Sequence, residues 1–304
     1  MIFVATLISN PASHALDAAI VRRARETLYA AQEPVWLDPG VAADIVFAPG
    51  VDSNQRGLTD LLRASLAGEE IDIVVQPLAA RRKKLVVADM DSTMIGQECI
   101  DELADLVGLK THVAAITERA MRGEIEFEPA LRERVALLKG LPASVVDRLL
   151  QTRITLTPGG RTLVATMRAA GAYTCLVSGG FTLFTQPIAK MIGFDEQRAN
   201  VLALAPDQTF AGTVGEPVLG REAKLATLLD LAARQGIGLD ETMAVGDGAN
   251  DLAMIGAAGL GVAYHAKPAV AAAAHARIDF NDLSALLYVQ GYRRTEFVLS
   301  CPSP

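Results

Sequence analysis

Two aspartates separated by one residue, Asp89-Met90-Asp91, follow the apolar run Leu85-Val86-Val87-Ala88 and precede Ser92-Thr93. Residues two apart in extended chain point the same way, so both carboxyls can face one reacting group: one attacks, the other delivers a proton to the leaving oxygen. Taken alone, Asp91-Ser92-Thr93 could equally cap a helix. A second acidic cluster, Gly246-Asp247-Gly248-Ala249-Asn250-Asp251, follows the run Thr242 to Gly246. Its glycines let the backbone approach a ligand, and oxygen-rich side chains on a tight turn suit magnesium better than zinc. A third run, Cys175-Leu176-Val177, ends in Ser178-Gly179-Gly180, where a hydroxyl and unhindered backbone N–H groups near a helix start can cradle phosphate. Lys224, inside the helical run Arg221 to Arg234, offers a fixed cation for such a site. Each of the last three also has a plain reading, as a turn, a strand-to-helix connection or a solvated lysine. Joined in this order, the four describe phosphoryl transfer.

The elements that must position them follow from periodicity. Apolar runs at 85–88, 173–177, 242–246 and 259–263 alternate with helical segments, the pattern of a doubly wound α/β core with a parallel sheet. The long helical stretch between the first two runs exceeds an ordinary crossover, so an inserted helical cap is expected over about 96–156 of an 81–300 domain. Before it, β-like runs at 2–8, 33–37, 44–48 and 71–76 and helical periodicity at 13–30 and 55–67 give a β-α-β-β-α-β order. That order predicts a small α+β ferredoxin-like domain over 1–80. Between the two, Arg81-Arg82-Lys83-Lys84 reads as a solvated linker face. Residues 199–214 read as a hairpin, Ala266 to Ala276 as helix with a structural His275, and the Cys301-Pro302-Ser303-Pro304 tail as loose.

Composition narrows the classes. In 304 residues, 51% are hydrophobic, 21% are charged, and the net charge is −7, which gives no global basic surface for nucleic acid. The apolar stretch Ile2 to Ile8 has no basic leader and is stopped by Asn10-Pro11, so it reads as a strand rather than a signal or membrane span. Cys99, Cys175 and Cys301 share no metal or redox spacing, which fits a reducing, cytoplasmic compartment.

Asp89-x-Asp91-Ser92-Thr93, Ser178-Gly179-Gly180, Lys224 and Gly246-Asp247-Gly248-x-Asn250-Asp251, at strand ends and in this order, resemble the four-motif signature of the haloacid dehalogenase superfamily. Within it, Asp89 to Gly108, Met121 to Pro142 and Val177 to Phe181 resemble phosphoserine phosphatases, over about 85 to 290 of the chain. The resemblance implies that Asp89 becomes an aspartyl phosphate while Asp91 protonates the serine oxygen and then activates water. It implies Mg²⁺ held by Asp89, the Asp91 carbonyl and Asp247, with Asp251 in support. Ser178, Gly179, Gly180 and Lys224 would hold phosphate oxygens, and Asn250 would orient the substrate. Glu98 and Arg134 would take the ammonium and carboxylate of phosphoserine, and Phe127 would exclude water. Phe127 and Arg134 lie seven apart, on one helix face if the helix already includes Phe127. Without the resemblance, Glu98 is a first-turn acid, Phe127 a core residue and Arg134 a surface ion-pair partner. The implied activity is the last step of serine biosynthesis. A phosphotransferase, a phosphatase for another small phosphomonoester and a non-enzymatic amino-acid sensor are the alternatives. The N-terminal domain resembles ligand-sensing ACT domains in element order alone; it could sense an amino acid, support a homodimer or pack on the core.

Overall fold

The computed structural model describes residues 2–50, 54–121 and 124–299; Cys301 and the rest of the tail lie outside them. The N-terminal part runs β1 (Phe3–Ser9), α1 (Ala18–Glu26), β2 (Val35–Asp38), β3 (Ala42–Phe47), α2 (Gln55–Ser65) and β4 (Ile71–Pro77). The sheet is antiparallel in the order β2-β3-β1-β4, the ferredoxin-like arrangement expected. Helix α1 starts later than its periodicity suggested, at Asp17, whose side chain accepts from Ile20 N–H at 2.8 Å as an N-cap.

Strand alternation sorts this sheet into two faces. Ala5, Leu7, Ala43, Ile45, Phe47, Ile71, Ile73 and Val75 pack with the two helices. The opposite face carries Thr6, Ile8, Asp44, Asp72, Val74 and Gln76, and its apolar members join the main core of the molecule. The polar members are tied across that junction. Arg81 pairs bidentately with Asp44 at 2.6 and 2.7 Å and donates to Thr6, Tyr288 O and Val289 O. Asp72 accepts from the backbone N–H groups of Asp279, Phe280 and Asn281. The basic run is therefore only half a solvated face. Arg82 and Lys84 make surface pairs with Glu296 and Glu241, while Arg81 is buried to 10% side-chain exposure and Lys83 donates to Ala80 O and Asp240 O. A charge run signals solvent only where no acceptors fold over it, and here two of its four side chains, Arg81 and Lys83, are buried against acceptors.

The rest of the chain runs β5 (Leu85–Asp89), then α3 (Cys99–Leu106), α4 (Lys110–Met121), α5 (Phe127–Ala136) and α6 (Val145–Thr152), then α7 (Gly160–Ala169). It continues through β6 (Tyr173–Phe181), α8 (Thr182–Ile192), β7 (Glu196–Asn200), the hairpin β8 (Leu202–Leu204) and β9 (Phe210–Val214), and α9 (Arg221–Gln235). It closes with β10 (Thr242–Gly246), α10 (Leu252–Ala257), β11 (Leu260–Tyr264), α11 (Pro268–Ala273), β12 (Ala276–Ile278) and α12 (Ala285–Val289). The alanine-rich helix is thus shorter than expected: it starts at Pro268, and the chain becomes extended at Ala274 to enter the edge strand at Ala276. The main sheet is parallel in the order β12-β11-β10-β5-β6-β7. Val86, Ala88, Leu176 and Val245 face α7, α8 and α12, whereas Leu85, Val87, Val177 and Ala244 face α9, α10 and α11.

After β5 the chain steps outward to β6 and β7, then returns to place β10 on the other side of β5. That reversal opens a crevice at the carboxyl ends of β5, β6 and β10, where open α/β sheets bind ligands. Helices α3 to α6 form the insertion above it. Their entry and exit are stitched by an antiparallel bridge between Ile95 and Leu156, with Gly96 N–H donating to Thr155 O and Thr157 N–H to Met94 O.

Candidate active site

The crevice collects the motif residues. Asp89 ends β5 on the α9 side of the sheet, the same parity as Leu85 and Val87, and so meets Lys224 on α9. Lys224 Nζ lies 2.7 Å from Asp89 Oδ1 and 2.7 Å from Asp251 Oδ1. All three side chains are buried. Burial opposes the lysine's charge, but Asp89 first and Asp251 second outweigh it and hold the ammonium well above the usual lysine range. Across the same pair, burial and then the charge of Asp89 push the Asp251 carboxyl up to about 8. Two carboxylates converging on Nζ favour the charged lysine, and Asp251 is raised by burial and by Asp89 against the pull of that ammonium.

Asp247 follows β10 and accepts from Thr93 Oγ1 at 3.2 Å; burial and Asp89 raise its carboxyl as well. Carboxylate oxygens of Asp89, Asp247 and Asp251 all lie within 4.8 Å of one another. Oxygens on opposite sides of one Mg²⁺ stand about 4.2 Å apart, so the donor set fits a small hard cation. Asp251 has both oxygens engaged, Oδ1 with Lys224 and Oδ2 with Gly248 N–H at 3.1 Å, which makes it a support for the turn. Gly246 is obligatory beside it, since a Cβ there would lie 2.4 Å from Asp251 Cγ.

Asp91 leaves the strand direction. The chain turns over Met90–Met94, with Ser92 at φ +54°, a left-handed conformation that costs a non-glycine residue roughly 1 kcal/mol. Asp91 Oδ1 accepts from Cys99 N–H at 3.0 Å, and Oδ2 faces Ser178 Oγ at 3.4 Å. Burial and then the charge of Asp89 push its carboxyl up to about 6. Ser92 Oγ donates to Glu98 at 2.6 Å. Glu98 keeps access to solvent within the crowded crevice, and its carboxyl rises to about 7, by burial and then by Asp91's charge.

Ser178 and Gly179-Gly180 belong to β6 itself, which runs on to Phe181. Its pairing with β7 breaks between Val177 and Phe181, and this bulge frees the intervening peptide groups. From the cap, Phe127 is the first residue of α5, as the shared face with Arg134 required. Its ring lies against the core, so that a Cβ on either Gly179 or Gly220 would come 3.3 Å from it. Arg134 is half-buried, donates to Ala130 O and Thr117 Oγ1, and makes no ion pair within bonding distance among the described residues. Burial lowers its guanidinium, against the pull of Asp101 and Glu98. Asn250 sits on the turn between Gly248 and Asp251, over Gly248. Two contributors escaped the sequence reading. Thr93 lies inside the quoted motif, where its bond to Asp247 had no separate signal. Asn200, a lone polar residue closing β7, had no signal beyond its place before a hairpin.

A cleft of about 520 Å³ opens elsewhere, between α2 and residues 271–277. It contains none of the motif residues, so concavity alone does not locate the chemistry here.

A parallel sheet with acidic tips at its switch point and a helical insertion above them is the architecture of one hydrolase class. The profile of the haloacid dehalogenase-like hydrolases matches residues 86–256, and the chain belongs to that family. Phosphoserine phosphatases are among the relatives it resembles. The one from Streptomyces coelicolor is 39% identical over 292 residues, 96% of this chain and 71% of that protein. A probable phosphoserine phosphatase from Vibrio cholerae, solved unliganded, superposes with a TM-score of 0.77 at 31% identity, covering 97% of this chain and 88% of that one. A haloacid dehalogenase family hydrolase from Salmonella enterica superposes with a TM-score of 0.84 at 29% identity, covering 95% of this chain and 98% of that one.

Proposed function

We propose that the chain hydrolyses O-phospho-L-serine to L-serine and phosphate through an aspartyl phosphate on Asp89. The observation that carries this is the pairing of roles at one strand tip. Asp89 lies 2.7 Å from Lys224 Nζ, while Asp91, close enough to feel its charge, has a carboxyl pushed up to about 6. An Asp89 oxygen attacks phosphorus, the phosphorus–serine oxygen bond breaks, and Asp91 gives its proton to that oxygen. Water then attacks the acyl phosphate, Asp91 takes the water's proton, and the bond from phosphorus to Asp89 breaks to release phosphate. Lys224, Ser178 and backbone N–H groups at Gly179 and Gly180 bind the phosphoryl oxygens. Mg²⁺, held by Asp89 and Asp247 with the Asp91 carbonyl, would offset the repulsion between the nucleophile and the phosphate.

Glu98 is assigned to the substrate ammonium and Arg134 to its carboxylate; Phe127 covers the site, and Asn250 orients the ligand. Arg134 has guanidinium donors to spare, which supports this assignment over a surface ion pair. The two free, buried thiols, Cys99 and Cys175, support a cytoplasmic home, and no helix among the described residues is long and apolar enough to cross a membrane. A homodimer is proposed through the outer edge of β2, where Val35 is exposed.

A steady-state panel of phosphoserine, phosphothreonine and simple phosphomonoesters, with and without Mg²⁺, tests the reading. Phosphoserine should be preferred and chelation should stop turnover; equal use of all esters, or turnover indifferent to chelation, contradicts it. Arg134→Ala should lower kcat/KM for phosphoserine by about 100-fold while changing an aryl phosphate little. Equal losses on both would remove Arg134 as the clamp.

A further inference from the structure

The bulge in β6 leaves the carbonyl of Gly179 without a ladder partner, and a buried side chain outside the motifs takes it. Asn200, 2% exposed at the end of β7, donates from Nδ2 to Gly179 O at 2.8 Å and to Leu219 O at 3.1 Å. Its Oδ1 accepts from Leu219 N–H at 2.6 Å. One amide thus spans two segments that sequence separates, the cradle in β6 and the loop leading into α9.

Both segments carry chemistry. The peptide plane between Gly179 and Gly180 is pinned at its two ends: its carbonyl to Asn200, and its N–H to Ser178 Oγ at 2.8 Å. Ser178 Oγ in turn faces Asp91 Oδ2 at 3.4 Å. A continuous chain of hydrogen bonds therefore runs from Asn200 to the proposed acid. On the other side, Leu219 precedes Gly220, which starts α9 and so helps place Lys224. The Phe127 ring lies against both Gly179 and Gly220. Their separation sets the width of the slot that receives the ring, and Asn200 is the tie between them.

We propose that Asn200 is a positioning residue that couples the phosphate cradle to cap closure, by holding Gly179 and Leu219-Gly220 at the spacing that seats Phe127. This rests on the reading of Gly179-Gly180 as the cradle and Phe127 as the cover. A role in folding alone would lower stability equally whatever the cap does. Coupling through the slot requires that the effect of Asn200 depend on Phe127.

A double-mutant cycle separates the two. Asn200→Ala, Phe127→Ala and the double variant are compared by kcat/KM for phosphoserine and for p-nitrophenyl phosphate, with melting temperature measured alongside. Asn200→Ala should lower kcat/KM for phosphoserine at least tenfold, and the same change made on Phe127→Ala should cost at least threefold less. If Asn200→Ala does not fold, Asn200→Asp, which keeps the shape and the acceptor but loses both donors, carries the cycle. Independent, multiplicative losses overturn the proposal, as does a fall in melting temperature with kcat/KM unchanged. If the unaltered protein turns over p-nitrophenyl phosphate but not phosphoserine, the substrate reading fails, and the cycle on p-nitrophenyl phosphate still decides the role of Asn200.

Discussion

Two buried charged regions of this molecule differ in how completely they are paired. At the junction between the N-terminal sheet and the main core, Arg81 meets Asp44 bidentately, and Asp72 gathers the N–H groups of Asp279, Phe280 and Asn281. Burial still pushes Asp72 up, but those donors act against it. At the strand tips, Lys224 meets two carboxylates, Asp89 and Asp251, with Asp247 beside them, and burial together with the charge of Asp89 raises Asp91, Asp247 and Asp251. A closed network holds two parts of a fold together; an open one keeps capacity for a ligand. Buried charge alone therefore does not mark function. Charge left over after all internal partners are counted does.

The comparison can be broken at either end. Asp89→Asn should lower phosphoserine turnover by about 10⁴-fold or more, with a melting temperature close to that of the unaltered protein; a collapse of the fold would mean the tips are structural after all. Asp44→Ala should do the reverse. It strands Arg81 and should cost about 3–5 kcal/mol in a denaturant titration, while activity per folded molecule is kept. The smallest effect concerns pH. The unfolded chain releases the Asp91 proton near 3.8, whereas the folded chain holds it to about 6. Between those values the folded form binds more protons, so the metal-free protein should lose stability as pH rises through that window. Asp89→Asn should flatten this slope in thermal melts and Asp44→Ala should not; the opposite pattern would detach Asp91 from Asp89.

How much of this was legible varies with the kind of signal. Asp89, Asp91, Asp247, Asp251 and Ser178 stand at or just after apolar runs, so strand-end position and residue type pointed to them together, whereas Lys224, inside a helical run, gained its meaning only from the others; the crevice gathers all six. The ferredoxin-like order was readable because its strands alternate. Arg81 and Lys83 were not, because a run of four basic residues says nothing about acceptors contributed from Asp44, Asp240 or Val289, far away in sequence. Asn200 was hidden for the same reason: its three bonds exist only once β6 bulges and the loop before α9 folds beside it. Phe127 depended on where α5 begins, a boundary that periodicity alone does not locate.

The proposed function requires that the excess negative charge at the tips of β5 and β10 seat one divalent cation. Calorimetric titration of Mg²⁺ into the unaltered protein, Asp247→Asn and Asp44→Ala tests it most directly. One saturable site should appear in the unaltered protein and in Asp44→Ala and be lost or greatly weakened in Asp247→Asn. Undiminished binding by Asp247→Asn would contradict the account.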